Sequence, residues 1–218
     1  MNSAKLDEAY DPAVQTMRSA LNLASLQENE ASRLVVTGRG LGLVSEWLLA
    51  REAFQRAVHV DVGNAEAWAW LGEAKQHLGQ DGSGEIQQAE ALDPFSATVR
   101  ALSGLYWKRR DEPQKALAQF QWAAAIEPEN PAFQAALGDA YVFAGDLPPA
   151  LAAYQRAAEL APSDVTYWRM LALFSAQYSF QVADVGVPAA QQALALAPDE
   201  AASLDLLDSY RVGRHWYV

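Results

Sequence analysis

The sequence predicts an all-α protein built from repeated pairs of helices, and three regularities carry this prediction. Prolines punctuate the chain, because Pro94, Pro128 and Pro162 stand 34 residues apart and Pro198 follows after 36. An alanine lies five residues before each proline and before Val62, at Ala57, Ala89, Ala123, Ala157 and Ala193. A small residue recurs further upstream, at Gly38, Gly72, Gly104, Gly138 and Ala172. A fixed period of this length is typical of stacked helical hairpins.

The starts and turns of the predicted helices recur with the same period. The residues before four of the first helices can cap a helix N-terminus, namely Asn64, Ser96, Asn130 and Asp164. Pro131 suits the first helical position. Turns are expected at Gly79, Asp111 and Gly145. Each period therefore predicts a helix, a short turn, a second helix and a proline.

Gly138 lies inside the predicted helix that contains "LGDAYVFAG". Glycine inside a helix costs about 1 kcal/mol relative to alanine, so packing must offset that cost. We expect Gly138 to face the second helix of its own hairpin near Ala150 and Ala157. Tyr141 and Tyr154 would fill the space beside it.

The period resembles the tetratricopeptide repeat, whose pattern is W-x2-L-G-x2-Y, then A-x3-F-x2-A, then P. Residues 131–164 carry most of this pattern, at Leu137, Gly138, Tyr141, Ala150, Tyr154, Ala157 and Pro162. Gln134 stands where the first aromatic residue is expected. The opening half recurs at Trp68, Leu71 and Gly72 and at Trp168, Leu171 and Ala172. The resemblance implies a right-handed α–α superhelix of helical hairpins.

The resemblance divides the chain into five repeats with additional segments at both ends. The predicted repeats span 31–64, 65–96, 97–130, 131–164 and 165–200. Residues 1–30 would form an N-terminal helix or half-repeat. Residues 201–218 would form a C-terminal capping helix and tail.

Two predicted repeats depart from the regular pattern. In 31–64, Gly38, Gly40 and Gly42 weaken the first helix, so "GRGLG" is either a frayed or bent helix or a phosphate-binding loop. It lacks the GK[ST] ending and the GxGxxG spacing of phosphate loops. In 165–200, Gly186 and Pro188 are expected to delay the second helix to about Pro188.

Composition narrows the function. A net charge of -11 argues against nucleic-acid and membrane-surface partners, and the chain has no cysteine. No apolar run approaches the length of a membrane span. We therefore expect a cytoplasmic protein without catalytic activity, cofactor or metal.

Three of the seven tryptophans lie off the repeat pattern, at Trp47, Trp70 and Trp122. They either pack between neighbouring repeats or mark an exposed contact patch.

The resemblance also implies a binding groove, lined by the first helices of the repeats. The family's usual ligand positions correspond to Arg39, Leu43, Glu73, His77, Ala101, Leu105, Lys108, Arg109, Asp139, Val142, Phe143, Arg169, Leu173 and Gln177. Lys108, Arg109 and Arg169 would give an apolar groove a positive rim, although the basic cluster at 108–110 also suits a solvated helix end. Positions that hold a carboxylate clamp in some relatives carry other residues here, among them Val35, Ala69 and Glu73.

Two functions fit these observations. In the first, the protein is an interaction scaffold that binds a peptide or helix of another protein, with an apolar anchor against Leu105 and Phe143. In the second, it is a self-assembling homo-oligomer whose C-terminal "HWYV" enters a neighbour's groove.

Overall fold

A computed structural model of the chain describes residues 29–198. These residues form ten α-helices and one π-helical turn, and no strand occurs among them. The predicted all-α fold of helical hairpins is therefore confirmed. The segments 1–28 and 199–218, which include the predicted capping helix and the "HWYV" tail, lie outside the described residues.

The chain divides into two compact units, and the boundary falls between Glu112 and Pro113. Unit 1 contains α1 (Glu30–Leu43), α2 (Trp47–Val60), α3 (Ala65–His77), α4 (Ser83–Leu92) and α5 (Ala97–Arg109). Unit 2 contains α6 (Pro113–Ile126), α7 (Pro131–Ala144), α8 (Leu147–Leu160), α9 (Val165–Gln177), the π-helical turn Val182–Gly186 and α10 (Val187–Leu196). Within each unit, consecutive helices pack against each other, as expected for stacked hairpins.

Local side-chain chemistry fixes where the helices begin. All four predicted caps form, because Asn64, Ser96, Asn130 and Asp164 accept hydrogen bonds from backbone N–H groups in the first turns of α3, α5, α7 and α9. Asn29 caps α1 in the same way. Each cap satisfies an N–H group that has no partner inside its helix.

The turns between helices use left-handed backbone conformations. The three predicted turn residues, Gly79, Asp111 and Gly145, have φ angles of +70°, 57° and +83°. Ser45 and Ser179 adopt the same conformation in the turns after α1 and α9. Glycine adopts it without strain, whereas a side chain disfavours it.

A hydrogen bond closes the junction before α3, α5, α7 and α9. The donors are Trp68, Arg100, Gln134 and Trp168, and each donates to the carbonyl oxygen six residues earlier at 2.8, 2.8, 3.1 and 2.9 Å. Gln134, where the aromatic residue is missing, therefore supplies the same donor through its amide. A side-chain N–H donor is therefore the feature that these four positions share.

Gly138 is buried against the second helix of its own hairpin, as predicted. A Cβ atom there would lie 2.8 Å from Cε1 of Tyr154. The absent side chain thus makes room for a tyrosine ring on α8. Gly38 has the same role in unit 1, where its Cβ would lie 2.5 Å from Cε1 of Phe54.

The glycine-rich segment 38–42 is regular helix within α1, and it is neither frayed nor a phosphate loop. Gly38, Gly40 and Gly42 are all buried. A Cβ at Gly42 would lie 2.9 Å from the Trp47 ring. Close packing of aromatic rings against the glycines offsets their low helix propensity.

Candidate functional site

In unit 2, side chains from α7, α8 and α9 form one open pocket of about 280 Å³. Its lining residues are Asp139, Val142, Tyr154, Met170, Leu173, Phe174, Gln177 and Tyr178. Four of them are predicted groove residues, namely Asp139, Val142, Leu173 and Gln177. We call this set the unit 2 pocket.

One hydrogen bond sets the polar end of the unit 2 pocket. The Tyr154 hydroxyl donates to Oδ1 of Asp139 at 2.5 Å. Burial, and then this hydrogen bond, raises the pKa of Tyr154 far above its ordinary value. The phenol therefore stays protonated and holds the carboxylate in place.

Aromatic rings form the inner wall of the same pocket. The ring centre of Phe174 lies 5.3 Å from that of Tyr154 and 5.3 Å from that of Tyr178. Gln177 Nε2 donates to the Tyr178 hydroxyl at 3.3 Å. The pocket thus combines an aromatic wall, apolar side chains and one carboxylate.

Unit 1 contains a pocket of about 200 Å³ between α1, α2 and α3. Its lining residues are Gly38, Arg39, Gly42, Leu43, Trp47, Phe54 and Trp70. We call this set the unit 1 pocket. The guanidinium carbon of Arg39 lies 5.2 Å from the centre of the Trp70 ring, which is cation–π geometry. Leu43 is 76% exposed at its edge.

Three further predicted groove residues, Glu73, His77 and Arg109, bind one another in unit 1. The Arg109 guanidinium donates to both carboxylate oxygens of Glu73 at 2.6 Å, and the Glu73 side chain is buried. Arg109 Nη2 also lies 2.8 Å from Nε2 of His77, whose ring stacks on Trp47 with 3.5 Å between ring centroids. Arg109, which is predicted to belong to the positive rim of the groove, is thus paired with the Glu73 carboxylate.

Comparison with protein families identifies the repeat. Residues 109–173 match the family model for the tetratricopeptide repeat. This segment of the chain is therefore tetratricopeptide repeat sequence. No curated protein matches its sequence.

Solved structures of other repeat proteins share the fold. The Cut9–Hcn1 hetero-tetramer of APC/C is similar over 90% of this chain and 39% of that one, with a TM-score of 0.66 and 19% identity. A thermophilic tetratricopeptide repeat protein of Thermus thermophilus is similar over 74% of this chain and 98% of its own, with a TM-score of 0.61 and 23% identity. YrrB, described as having an unusual peptide-binding site, is similar over 86% and 96% of the two chains, with a TM-score of 0.55 and 15% identity. At identities this low, the similarities establish the fold alone.

The remaining predicted groove residues fall outside both pockets. Leu105, predicted as an anchor contact, is half-buried and packs against the core around Ile86 and Val99. Phe143 is half-buried on α7 and does not line the unit 2 pocket, where Val142 and Leu173 supply the apolar surface. The others lie along the first helices: Ala101 and Arg169 half-buried and Lys108 exposed.

Sequence reasoning named Trp47 and Trp70 as candidate contact residues but missed the other aromatic residues of the two pockets. The repeat pattern indicates Tyr154 and Phe54 only as core residues, yet each also lines a pocket through the face beside the glycine. The pairs Gly38–Phe54 and Gly138–Tyr154 have the same spacing in the sequence, and this spacing could have indicated that each ring packs beside a glycine. Trp47 and Trp70 pack within unit 1, whereas Trp122 is 51% exposed.

Within residues 29–198, no three histidine, aspartate or glutamate side chains are grouped so that they could hold a metal ion. In the same part of the chain, no helix has the length and apolar character needed to cross a membrane.

Proposed function

We propose that this tetratricopeptide repeat protein is an interaction scaffold that binds a peptide or helix of a partner protein in the unit 2 pocket. The observation that carries the proposal is the convergence of Asp139, Val142, Leu173 and Gln177 on that one pocket. These are ligand positions by family resemblance, and they line an open surface here.

The pocket has the composition that peptide recognition needs. Leu173 is 42% exposed, and it lies beside Val142 and Met170. A partner side chain buried there would remove apolar surface from water, which is the main source of binding energy at such sites. Asp139 and Gln177 can orient the partner's polar groups. The similarity to YrrB supports a peptide as the ligand class.

The experiment is affinity selection from a displayed library of random peptides. Wild type is expected to select peptides, and Leu173→Glu is expected to lose them because a charge replaces the apolar contact. Leu196→Glu is the matched control, because Leu196 is a 38% exposed leucine of unit 2 outside the pocket. Equal selection by the two variants would remove the unit 2 pocket from the proposal.

The proposal includes a cytoplasmic, non-catalytic role with a protein partner. It is supported by the cysteine-free sequence and by the net charge of -11, which disfavours nucleic acid and anionic membrane surfaces.

Self-assembly through "HWYV" remains the alternative, and its residues lie outside the described part of the chain. Light scattering before and after deletion of residues 213–218 tests it. An unchanged mass would exclude the tail as the assembly contact.

A further inference from the structure

We propose that the unit 2 pocket selects a lysine or arginine side chain of the partner. This inference rests on the proposed function, since it names the side chain that the same pocket takes. Three features of the described residues support it: the charge of the lining, the aromatic wall and the contrast with unit 1.

The charge of the lining is negative. Asp139 is the one acidic residue among the eight lining residues, and no lysine or arginine is among them. Oδ1 of Asp139 accepts a hydrogen bond from the Tyr154 hydroxyl, and within the described residues Oδ2 has no hydrogen-bond donor. A carboxylate oxygen at an open pocket favours a cationic donor, because charge-assisted hydrogen bonds are stronger than neutral ones.

The apolar part of the pocket suits the stem of such a side chain. Val142, Met170 and Leu173 can pack against the methylene groups of lysine or arginine, which bury their stems and keep their charged ends near polar groups. The rings of Phe174 and Tyr178 add a surface that attracts cations. A glutamate or aspartate of the partner would meet Asp139 and be repelled.

The unit 1 pocket lies at the corresponding place in the repeat and contains a cation of the chain itself. Residues of the two pockets correspond with a shift of 100 in number, so that Arg39 matches Asp139, Phe54 matches Tyr154 and Trp70 matches Met170. In unit 1 the chain's own Arg39 lies over the Trp70 ring. In unit 2 the position of Arg39 is the acid Asp139, and the rings of the pocket are those of Tyr154, Phe174 and Tyr178. No residue lining this pocket supplies a cation, so an acid and aromatic rings are left open to a cation from a partner.

Synthetic peptide pools test this inference. Each pool consists of nonamers of mixed sequence whose central residue is fixed as lysine, arginine, norleucine or glutamate. Fluorescence anisotropy with wild type is expected to show binding about tenfold tighter for the lysine and arginine pools than for the norleucine pool. The glutamate pool is expected to bind more weakly than norleucine.

Two variants locate the effect. Asp139→Asn keeps an oxygen that accepts from Tyr154 but removes the charge, so the ratio of basic-pool to norleucine-pool affinity is expected to fall to about one. Asp146→Asn is the matched control, because Asp146 is exposed at the start of α8 and its side chain makes no capping hydrogen bond. It is expected to behave like wild type. Circular dichroism confirms that both variants are folded.

The outcomes separate this inference from the proposed function. Equal binding of all four pools by wild type would overturn the charge preference and leave the scaffold proposal standing. A basic preference that survives Asp139→Asn would also overturn the inference. Failure of wild type to bind any pool would overturn both.

Discussion

The two pockets lie at the same positions of the repeat, but the residues at those positions differ in charge and in their contacts. In unit 1 the first helix supplies Arg39, and in unit 2 it supplies Asp139. The first helix of the following repeat supplies Glu73 in unit 1 and Leu173 in unit 2. Glu73 is buried and paired with Arg109, whereas Leu173 is partly exposed. Equivalent positions thus serve internal cohesion in one unit and an open surface in the other.

The lesson concerns how far a family's ligand positions can be transferred. Register determines the face of a helix on which a side chain lies, because the helical geometry is fixed. It does not determine whether that side chain is available. In unit 1, Glu73 and His77 are both bound by Arg109. In unit 2, Gln177 donates a hydrogen bond to the adjacent Tyr178 and lines the open pocket.

The largest expected effect comes from breaking the ion pair of unit 1. Arg109→Ala leaves the buried Glu73 carboxylate without its cation and is expected to lower the free energy of unfolding by about 3 kcal/mol. Urea unfolding followed by circular dichroism measures it.

Gln177 in unit 2 occurs at the same repeat position as Arg109, so its substitution provides a direct comparison. Gln177→Ala removes an exposed amide, so its effect is expected to stay within about 0.5 kcal/mol. Lys108→Ala controls for the loss of a positive charge at the end of α5. A loss for Arg109→Ala no greater than for Lys108→Ala would show that the ion pair is not structural.

The next effect compares the two glycines under aromatic rings. Gly38→Ala is expected to cost about 2 kcal/mol, because its methyl group would overlap the fully buried Phe54. Gly138→Ala is expected to cost about 1 kcal/mol, because the Tyr154 ring lies at the pocket edge and can shift further. Thermal unfolding measures both.

Gly84→Ala is the control for the glycine pair, since no atom lies within 4 Å of its Cβ position in α4. It is expected to stabilise the protein by up to about 1 kcal/mol through helix propensity alone. If Gly38→Ala were also stabilising, the glycine would not be required by the Phe54 ring.

A third effect is specific to unit 2, because Tyr154 can ionise and its equivalent Phe54 cannot. Burial and the Asp139 hydrogen bond raise the pKa of Tyr154, whereas the unfolded chain has the ordinary value of 10.0. The contribution of Tyr154 to the free energy of unfolding is therefore fully present below pH 10. Above pH 10 it falls by up to about 1.4 kcal/mol per pH unit.

Tyr154→Phe isolates this dependence, since groups that titrate in both proteins cancel. The stability difference between wild type and the variant is expected to move in favour of the variant between about pH 9 and about pH 11. Urea unfolding at both values measures it. A difference that is independent of pH would contradict a buried, hydrogen-bonded phenol.

The smallest effect concerns the junction before α7. Gln134→Ala removes the hydrogen bond to the Pro128 carbonyl and is expected to cost about 1 kcal/mol. Gln134→Trp restores the donor found at Trp68 and Trp168 and is expected to be neutral or stabilising. Gln114→Ala, an exposed change on α6, provides the baseline in urea unfolding. Equal effects of the two alanine substitutions would show that the junction bond contributes nothing.

Much of the fold was predictable because it depends on local chemistry. The caps at Asn64 and Asn130 and the turns at Gly79 and Gly145 follow from side-chain oxygens and backbone freedom that the sequence states directly. The helical state of 38–42 was not predictable, because it depends on packing against rings from another helix.

The site was predictable only in part, for a related reason. Repeat register correctly brought Asp139, Val142, Leu173 and Gln177 together. The ion pair between Glu73 and Arg109 joins residues 36 positions apart, and no local pattern announces such a pairing.

The π-helical turn Val182–Gly186 shows how the last described repeat tolerates its extra length. After this turn, Ala189, Ala190 and Ala193 are buried in the same order as Ala153, Tyr154 and Ala157 in the preceding repeat. The two inserted residues are therefore absorbed before the second helix begins. For protein engineering, this marks the connection between α9 and α10 as the part of the repeat that accepts added length without a shift in the register of α10.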